Sequence, residues 1–121
     1  MIGSYRSFIK KLFNILIHFL QNKKIIIFGT GSLSEKLSLN CNFAEIAYYI
    51  DNNKKKWGTH FMGVEVKDPR NLLTENKEDI VIIVASQYFK DISLQLNTFG
   101  FVENIHYIDG SILGDIDFNL I

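Results

Sequence analysis

A single cysteine, Cys41, and a single proline, Pro69, stand in a chain of 121 residues whose 13 basic and 13 acidic side chains cancel. Each shortage excludes something. One cysteine rules out a disulfide within the chain and fits a reducing, cytoplasmic compartment, with the thiol packed rather than reactive. His18, His60 and His106 lie far apart, with no second cysteine and no His-x-x-x-His pair, so no metal site is expected. Zero net charge removes the electrostatic reason to look for nucleic acid, and no nucleic-acid partner is expected; Lys54, Lys55 and Lys56 form the local exception. No apolar run reaches the roughly 20 residues that span a bilayer.

What is present is 47% hydrophobic and 21% charged residues, the composition of an ordinary globular domain. A chain of this length buries about two-thirds of its unfolded surface in one core.

The first 22 residues read separately from the remaining 23–121. Arg6, Lys10 and Lys11 precede the apolar stretch LFNILIHFL, but Asn14 and His18 interrupt it and no small-x-small cleavage site follows, so a secretory signal is not expected. Tyr5, Phe8, Ile9, Leu12, Phe13, Leu16, Phe19 and Leu20 recur at helical spacing, opposite Arg6, Lys10, Asn14 and Gln21, which predicts an amphipathic helix. Its wide apolar face must cover a sheet, pair with a second copy or a transferase domain through residues 5–20, or, as the least expected of the three, lie on a membrane surface.

Beyond it the pattern changes to short apolar runs between turn signals. KIIIF at 24–28 is apolar without alternation, as a strand covered on both faces must be. Gly29 to Ser32 form a turn, with Ser32 as a helix cap, and 33–40 read as a short helix. A second strand at 44–50 ends at Asp51, completing a βαβ unit. An irregular segment, 51–63, leads to a short edge strand at 64–66. Asp68 and Pro69 then serve as N-cap and first helical residue. Residues 79–84 (DIVIIV) are the fourth strand, and Ala85, Ser86 and Gln87 its exit turn. Tyr88, Phe89, Ile92, Leu96 and Phe99 have helical spacing before Gly100 as the C-terminal stop, with Tyr88 and Phe89 assigned to the core. Residues 105–108 form the fifth strand. Right-handed crossovers join the five into an open parallel sheet of order 3-2-1-4-5, whose topological switch lies between strands one and four. A ligand is expected there, at the carboxyl ends of the strands.

The turn FGTGS supplies two of the three glycines of G-x-G-x-x-G: Gly29 for the tight turn and Gly31 for close approach to a pyrophosphate, with Ser34 in the third place. The helix behind it offers free N–H groups and a positive dipole end. Asp51, 20 residues after Gly31, stands where a carboxylate hydrogen-bonds ribose hydroxyls. The expected ligand contacts are therefore Gly29, Thr30, Gly31, Ser32, Asp51, Asn52, Ser86 and Gln87, and the expected ligand is NAD or another nucleotide. Lys54 to Lys56 read as a solvated loop, with phosphate contact as the alternative, and Trp57 as packing that loop.

Catalytic machinery is harder to find. None of Tyr5, Tyr48, Tyr49, Tyr88 or Tyr107 is followed four residues later by the lysine of a short-chain dehydrogenase. G-x-S-x-G, the P-loop lysine and paired carboxylates are also missing. No catalytic residue is assigned, and autonomous catalysis is not expected; the alternatives to a binding module are an oligomerisation or docking module with a vestigial cleft, and a dehydrogenase- or epimerase-like enzyme that needs another chain.

The segments IIIFGTGS, YYIDNNKKKWG, GVEVKDPRNL and DIVIIVASQYFKDISLQLNTFGF together resemble small Rossmann-like domains associated with bacterial sugar and polysaccharide biosynthesis. Similar segments accompany FkbM-type and sugar C-methyltransferases and some glycosyltransferases, and similar chains are described as nucleotide-sugar epimerase- or dehydrogenase-like. The resemblance covers residues 23–108. It implies a Rossmann-like α/β fold and a nucleotide or nucleotide-sugar ligand, with Gly29, Gly31 and Asp51 at the matching positions. NAD(H), a nucleotide-sugar and S-adenosylmethionine remain alternatives. Ser34 and the missing catalytic domain depart from the pattern.

Overall fold

A computed structural model of the chain describes residues 7, 8, 10, 11, 22–40 and 45–114. Ser7, Phe8, Lys10 and Lys11 are helical; the rest of the helix expected over 1–22, its expected pairing role, Cys41 and the tail after residue 114 lie outside the described residues.

Six strands form one sheet: β1 (Lys24–Phe28), β2 (Ile46–Ile50), β3 (His60–Phe61), β4 (Val64–Lys67), β5 (Ile80–Val84) and β6 (Tyr107–Asp109), in the order β3-β4-β2-β1-β5-β6. β1 pairs parallel with both β2 and β5, β2 with β4, and β5 with β6. The five expected strands keep their order, and the sheet gains one strand at its edge. That strand, β3, runs antiparallel to β4. Met62 and Gly63 between them both have positive φ, 52° and 80°, the backbone that a two-residue hairpin of matching twist needs.

The apolar run of β1 divides by parity. Ile25 and Ile27 join Tyr49, Val81 and Ile83 on one face, where Leu37 of α1 (Ser32–Asn40) covers them. Ile26 and Phe28 join Tyr48, Ile50, Ile82 and Val84 on the other, against Ile92 and Leu96 of α2 (Phe89–Thr98). Both faces are buried, so the strand has no solvent side to carry polar residues. A side chain such as Ile26 or Ile82 contributes about 1.5–3 kcal/mol through that burial. A four-residue helix, α3 (Ser111–Gly114), packs Leu113 beside α1.

The connections follow local chemistry. Asp68 caps a 3-10 helix at Pro69–Thr74: its carboxylate accepts from the Arg70 N–H at 2.9 Å, and Pro69 takes the first position, where no donor is lost. The last strand begins at Tyr107 rather than residue 105. Asn104 at φ 65° turns the chain, and His106 Nδ1 accepts the Val102 N–H at 2.9 Å, which holds residues 102–106 as a loop.

Candidate functional site

β1, β2 and β5 end side by side, and the segments leaving them line a cleft of 810 Å³. All eight residues expected to contact a ligand, Gly29, Thr30, Gly31, Ser32, Asp51, Asn52, Ser86 and Gln87, lie along it. Lys56, Tyr88, Asp91, Ile92 and Gln95 line it as well.

The two glycines of the turn are needed for different reasons. Gly29 has φ 117°, and a Cβ there would stand 2.5 Å from the Ala85 carbonyl oxygen. The strand ends are drawn together at this point: the Gly29 N–H donates to the Ile50 carbonyl at 2.7 Å and the Ala85 N–H to the Phe28 carbonyl at 2.9 Å. A Cβ on Gly31, by contrast, would meet nothing within 4 Å, so its backbone faces open space in the cleft. The Gly31 carbonyl accepts the first helical bond, from the Glu35 N–H at 3.0 Å, and Ser32 is already helical. The cap therefore falls on Gly31, one residue before the expected Ser32. By helix geometry the opening turn of α1 leaves N–H groups without intrahelical acceptors beside the cleft. Ser34, in the third glycine's place, is fully buried; its Oγ has no hydrogen-bond partner among the described residues.

Asp51 is held from several sides. The Thr30 hydroxyl donates to Oδ2 at 2.7 Å and the Asn53 N–H to Oδ1 at 2.8 Å. Trp57 Nε1 donates to the Asp51 carbonyl at 2.6 Å, closing the loop that follows β2. Trp57 packs this loop and carries Arg70 over its ring at 5.9 Å. Among the described residues each carboxylate oxygen accepts one hydrogen bond, which leaves it a lone pair for a ligand hydroxyl. Lys56 departs from the solvated-loop reading: it lines the cleft, and its Nζ donates to Thr30 Oγ1 at 2.7 Å. Lys54 and Lys55 are exposed.

On the β5 side, Ser86 Oγ accepts the Tyr88 N–H at 3.0 Å and shapes the exit turn. Tyr88, expected in the core, is 61% exposed and lines the cleft, because it precedes α2 and only Phe89 turns inward. Asn52 and Gln95 form a reciprocal amide pair across the loop and α2. Gln95 and Asp91 carry no motif, yet residues 88, 91, 92 and 95 share one helical face, a spacing that could have located them.

Away from the cleft, the fold biases the protonation of several ionisable groups. Burial pushes the Tyr48 phenol well above its usual range, with Glu75 adding to the shift. Burial opposes ionisation of Glu75, but hydrogen bonds from Lys24 and Tyr48 outweigh it and lower the carboxyl below its ordinary value. The Arg70 side chain holds Asp68 lower in the same sense. None of these residues lines the cleft.

Solved structures with this fold include RSP, a Rex-family repressor, which is 16% identical with a TM-score of 0.55 over 83% of this chain and 59% of its own. A second RSP structure, in complex with beta-NAD+ and operator DNA, is 20% identical with a TM-score of 0.52, covering 78% of this chain and 48% of its own. UDP-D-quinovosamine 4-dehydrogenase from Vibrio fischeri is 22% identical with a TM-score of 0.53, covering 78% of this chain and 87% of its own. The chain thus spans about half the length of the repressors, and the likenesses establish a Rossmann-like α/β fold. No curated protein matches. The exclusion of nucleic acid is corrected: the fold is shared with a repressor solved on operator DNA, and a net charge summed over the chain says nothing about a local surface. No described helix is long and apolar enough to cross a membrane. Residues 21–106, well over half of the chain, match the model of the C2185-like, N-terminal family, and the chain belongs to that family.

Proposed function

We propose that this chain is a nucleotide-binding module, taking NAD or a nucleotide-sugar in the cleft at the carboxyl ends of β1, β2 and β5. One observation carries the reading: the Gly31 backbone open to the cleft and the Asp51 carboxylate, with acceptor capacity left, line the same 810 Å³ space. That volume lies within the usual range for small-molecule sites. The opening turn of α1 would hold phosphate, Asp51 would take ribose hydroxyls, and Lys56 would add a positive charge beside them. NAD would supply a hydride acceptor when bound; the chain's own residues bind and orient.

The names of the structural neighbours support the reading, since one was solved with beta-NAD+ and another is named for a UDP-sugar substrate. The role falls in sugar and polysaccharide biosynthesis, beside an FkbM-type or sugar C-methyltransferase or a glycosyltransferase, as the resemblance of residues 23–108 implies. Catalysis by this chain alone is not part of the proposal. Calorimetry and thermal shift with NAD, NADH, NADP, UDP-sugars and S-adenosylmethionine test it. Saturable binding of NAD or a UDP-sugar is the expected result; no response to any of the five classes removes the reading.

A further inference from the structure

Asn52 Nδ2 donates to Gln95 Oε1 at 3.0 Å, and Gln95 Nε2 returns a bond to Asn52 Oδ1 at 2.9 Å. Asn52 belongs to the loop leaving β2, and Gln95 to the helix following β5. The pair therefore joins segments reached from the two strands that flank β1. Both residues line the cleft.

A primary amide has two N–H groups and an oxygen with two lone pairs. The reciprocal pair uses one of each on either side chain. One N–H and one lone pair remain on each, with no other side-chain partner among the described residues. Those lie on opposite flanks of each amide; opening the pair frees a donor beside an acceptor on one edge, the pattern by which Asn and Gln recognise a nucleobase.

Placement agrees with chemistry. With phosphate at the opening turn of α1 and ribose hydroxyls at Asp51, the base leaves from the carbon beside the 2′-hydroxyl, away from the phosphate. Asn52 follows Asp51 directly and is bonded to Gln95, whose helical face also brings Tyr88, Asp91 and Ile92 to the cleft lining. Ile92 is 7% exposed and offers an apolar surface; Tyr88 is 61% exposed and offers a ring for stacking. Replacing the two exposed amide–amide bonds with two amide–base bonds leaves the hydrogen-bond count little changed, so a base can compete for the pair.

We infer that Asn52 and Gln95, with Ile92 and Tyr88, form the base-reading end of the cleft, where the paired amides exchange their mutual hydrogen bonds for bonds to the edge of a purine or pyrimidine. This rests on the nucleotide-binding reading above. A clip that merely braced the loop would set stability and leave base preference untouched.

Calorimetric titration of the full chain with AMP, GMP, CMP, UMP and ribose 5-phosphate separates the two. The unmodified chain is expected to hold one of the four bases about tenfold tighter than the weakest. Gln95→Leu and Asn52→Leu lose that preference and bind all four alike, still tighter than ribose 5-phosphate because Ile92 and Tyr88 remain, with melting curves confirming that both fold. Gln95→Glu, which keeps the acceptor and drops the donor, reorders the four. If the unmodified chain does not distinguish the bases, or the variants keep its ranking, the inference is overturned while nucleotide binding stands. If none of the five ligands binds the unmodified chain, the nucleotide reading falls and this inference with it.

Discussion

The Thr30 hydroxyl donates to Asp51 Oδ2 at 2.7 Å, tying the glycine turn after β1 to the carboxylate after β2. Lys56 Nζ donates to the same hydroxyl at 2.7 Å, so one threonine aligns the turn, the acid and the base of the cleft. Thr30→Val keeps the shape and removes both bonds. It is expected to cost about 0.5–1.5 kcal/mol in denaturant unfolding and to weaken nucleotide binding in calorimetry, since Asp51 loses its orientation. Unchanged affinity would show that Asp51 is positioned without Thr30.

Gly29 and Gly31 are expected to fail differently. Gly29→Ala forces a Cβ to within 2.5 Å of the Ala85 oxygen at φ 117° and should destabilise the fold by 2 kcal/mol or more, on the order of the strain of a non-glycine residue held there plus the clash. Gly31→Ala meets open space, so unfolding should change little while the added methyl obstructs phosphate. Melting curves and titrations on the two variants check this contrast.

Ser34 buries a hydroxyl with no partner among the described residues. Ser34→Ala removes that desolvated group at almost constant volume and is expected to raise stability by about 1 kcal/mol. A loss of stability in chemical denaturation would mean that the hydroxyl is satisfied.

Glu75 accepts from Lys24 Nζ at 2.8 Å and from the Tyr48 hydroxyl at 2.9 Å, and its carboxyl is lowered from the ordinary 4.5. The ionised form is therefore the one the fold favours. Its contribution is present above pH 4.5 and fades as pH falls through the lower folded-state value. Glu75→Gln should be less stable than the unmodified chain at neutral pH, and the gap should close on acidification. A gap independent of pH would contradict this.

Much of the architecture could be read from residues because a strand buried on both faces is an unbroken apolar run: KIIIF and IVIIV leave no room for another assignment. β3 could not be read that way. His60 and Phe61 are too few for any period, and the pairing depends on Met62 and Gly63 adopting positive φ. The position of β6 depended on Asn104 and His106 shaping a loop, which no local apolarity signals. In the cleft, the glycine turn, Asp51 and the exit turn of β5 were legible from strand ends. Lys56 was not, because only the path of the loop after β2, fixed by the Trp57 bond to the Asp51 carbonyl, brings one of three consecutive lysines to Thr30. Tyr88 was misassigned because an aromatic residue just before a helix looks like part of its apolar stripe.

A crystal structure of the chain with its tightest-binding nucleotide tests the central claim most directly. The expected result is phosphate at Gly31 and Ser32 with ribose hydroxyls on Asp51. Density for the nucleotide outside this cleft, or a bound ligand that leaves Asp51 contacted only by Thr30 and Asn53, would contradict it.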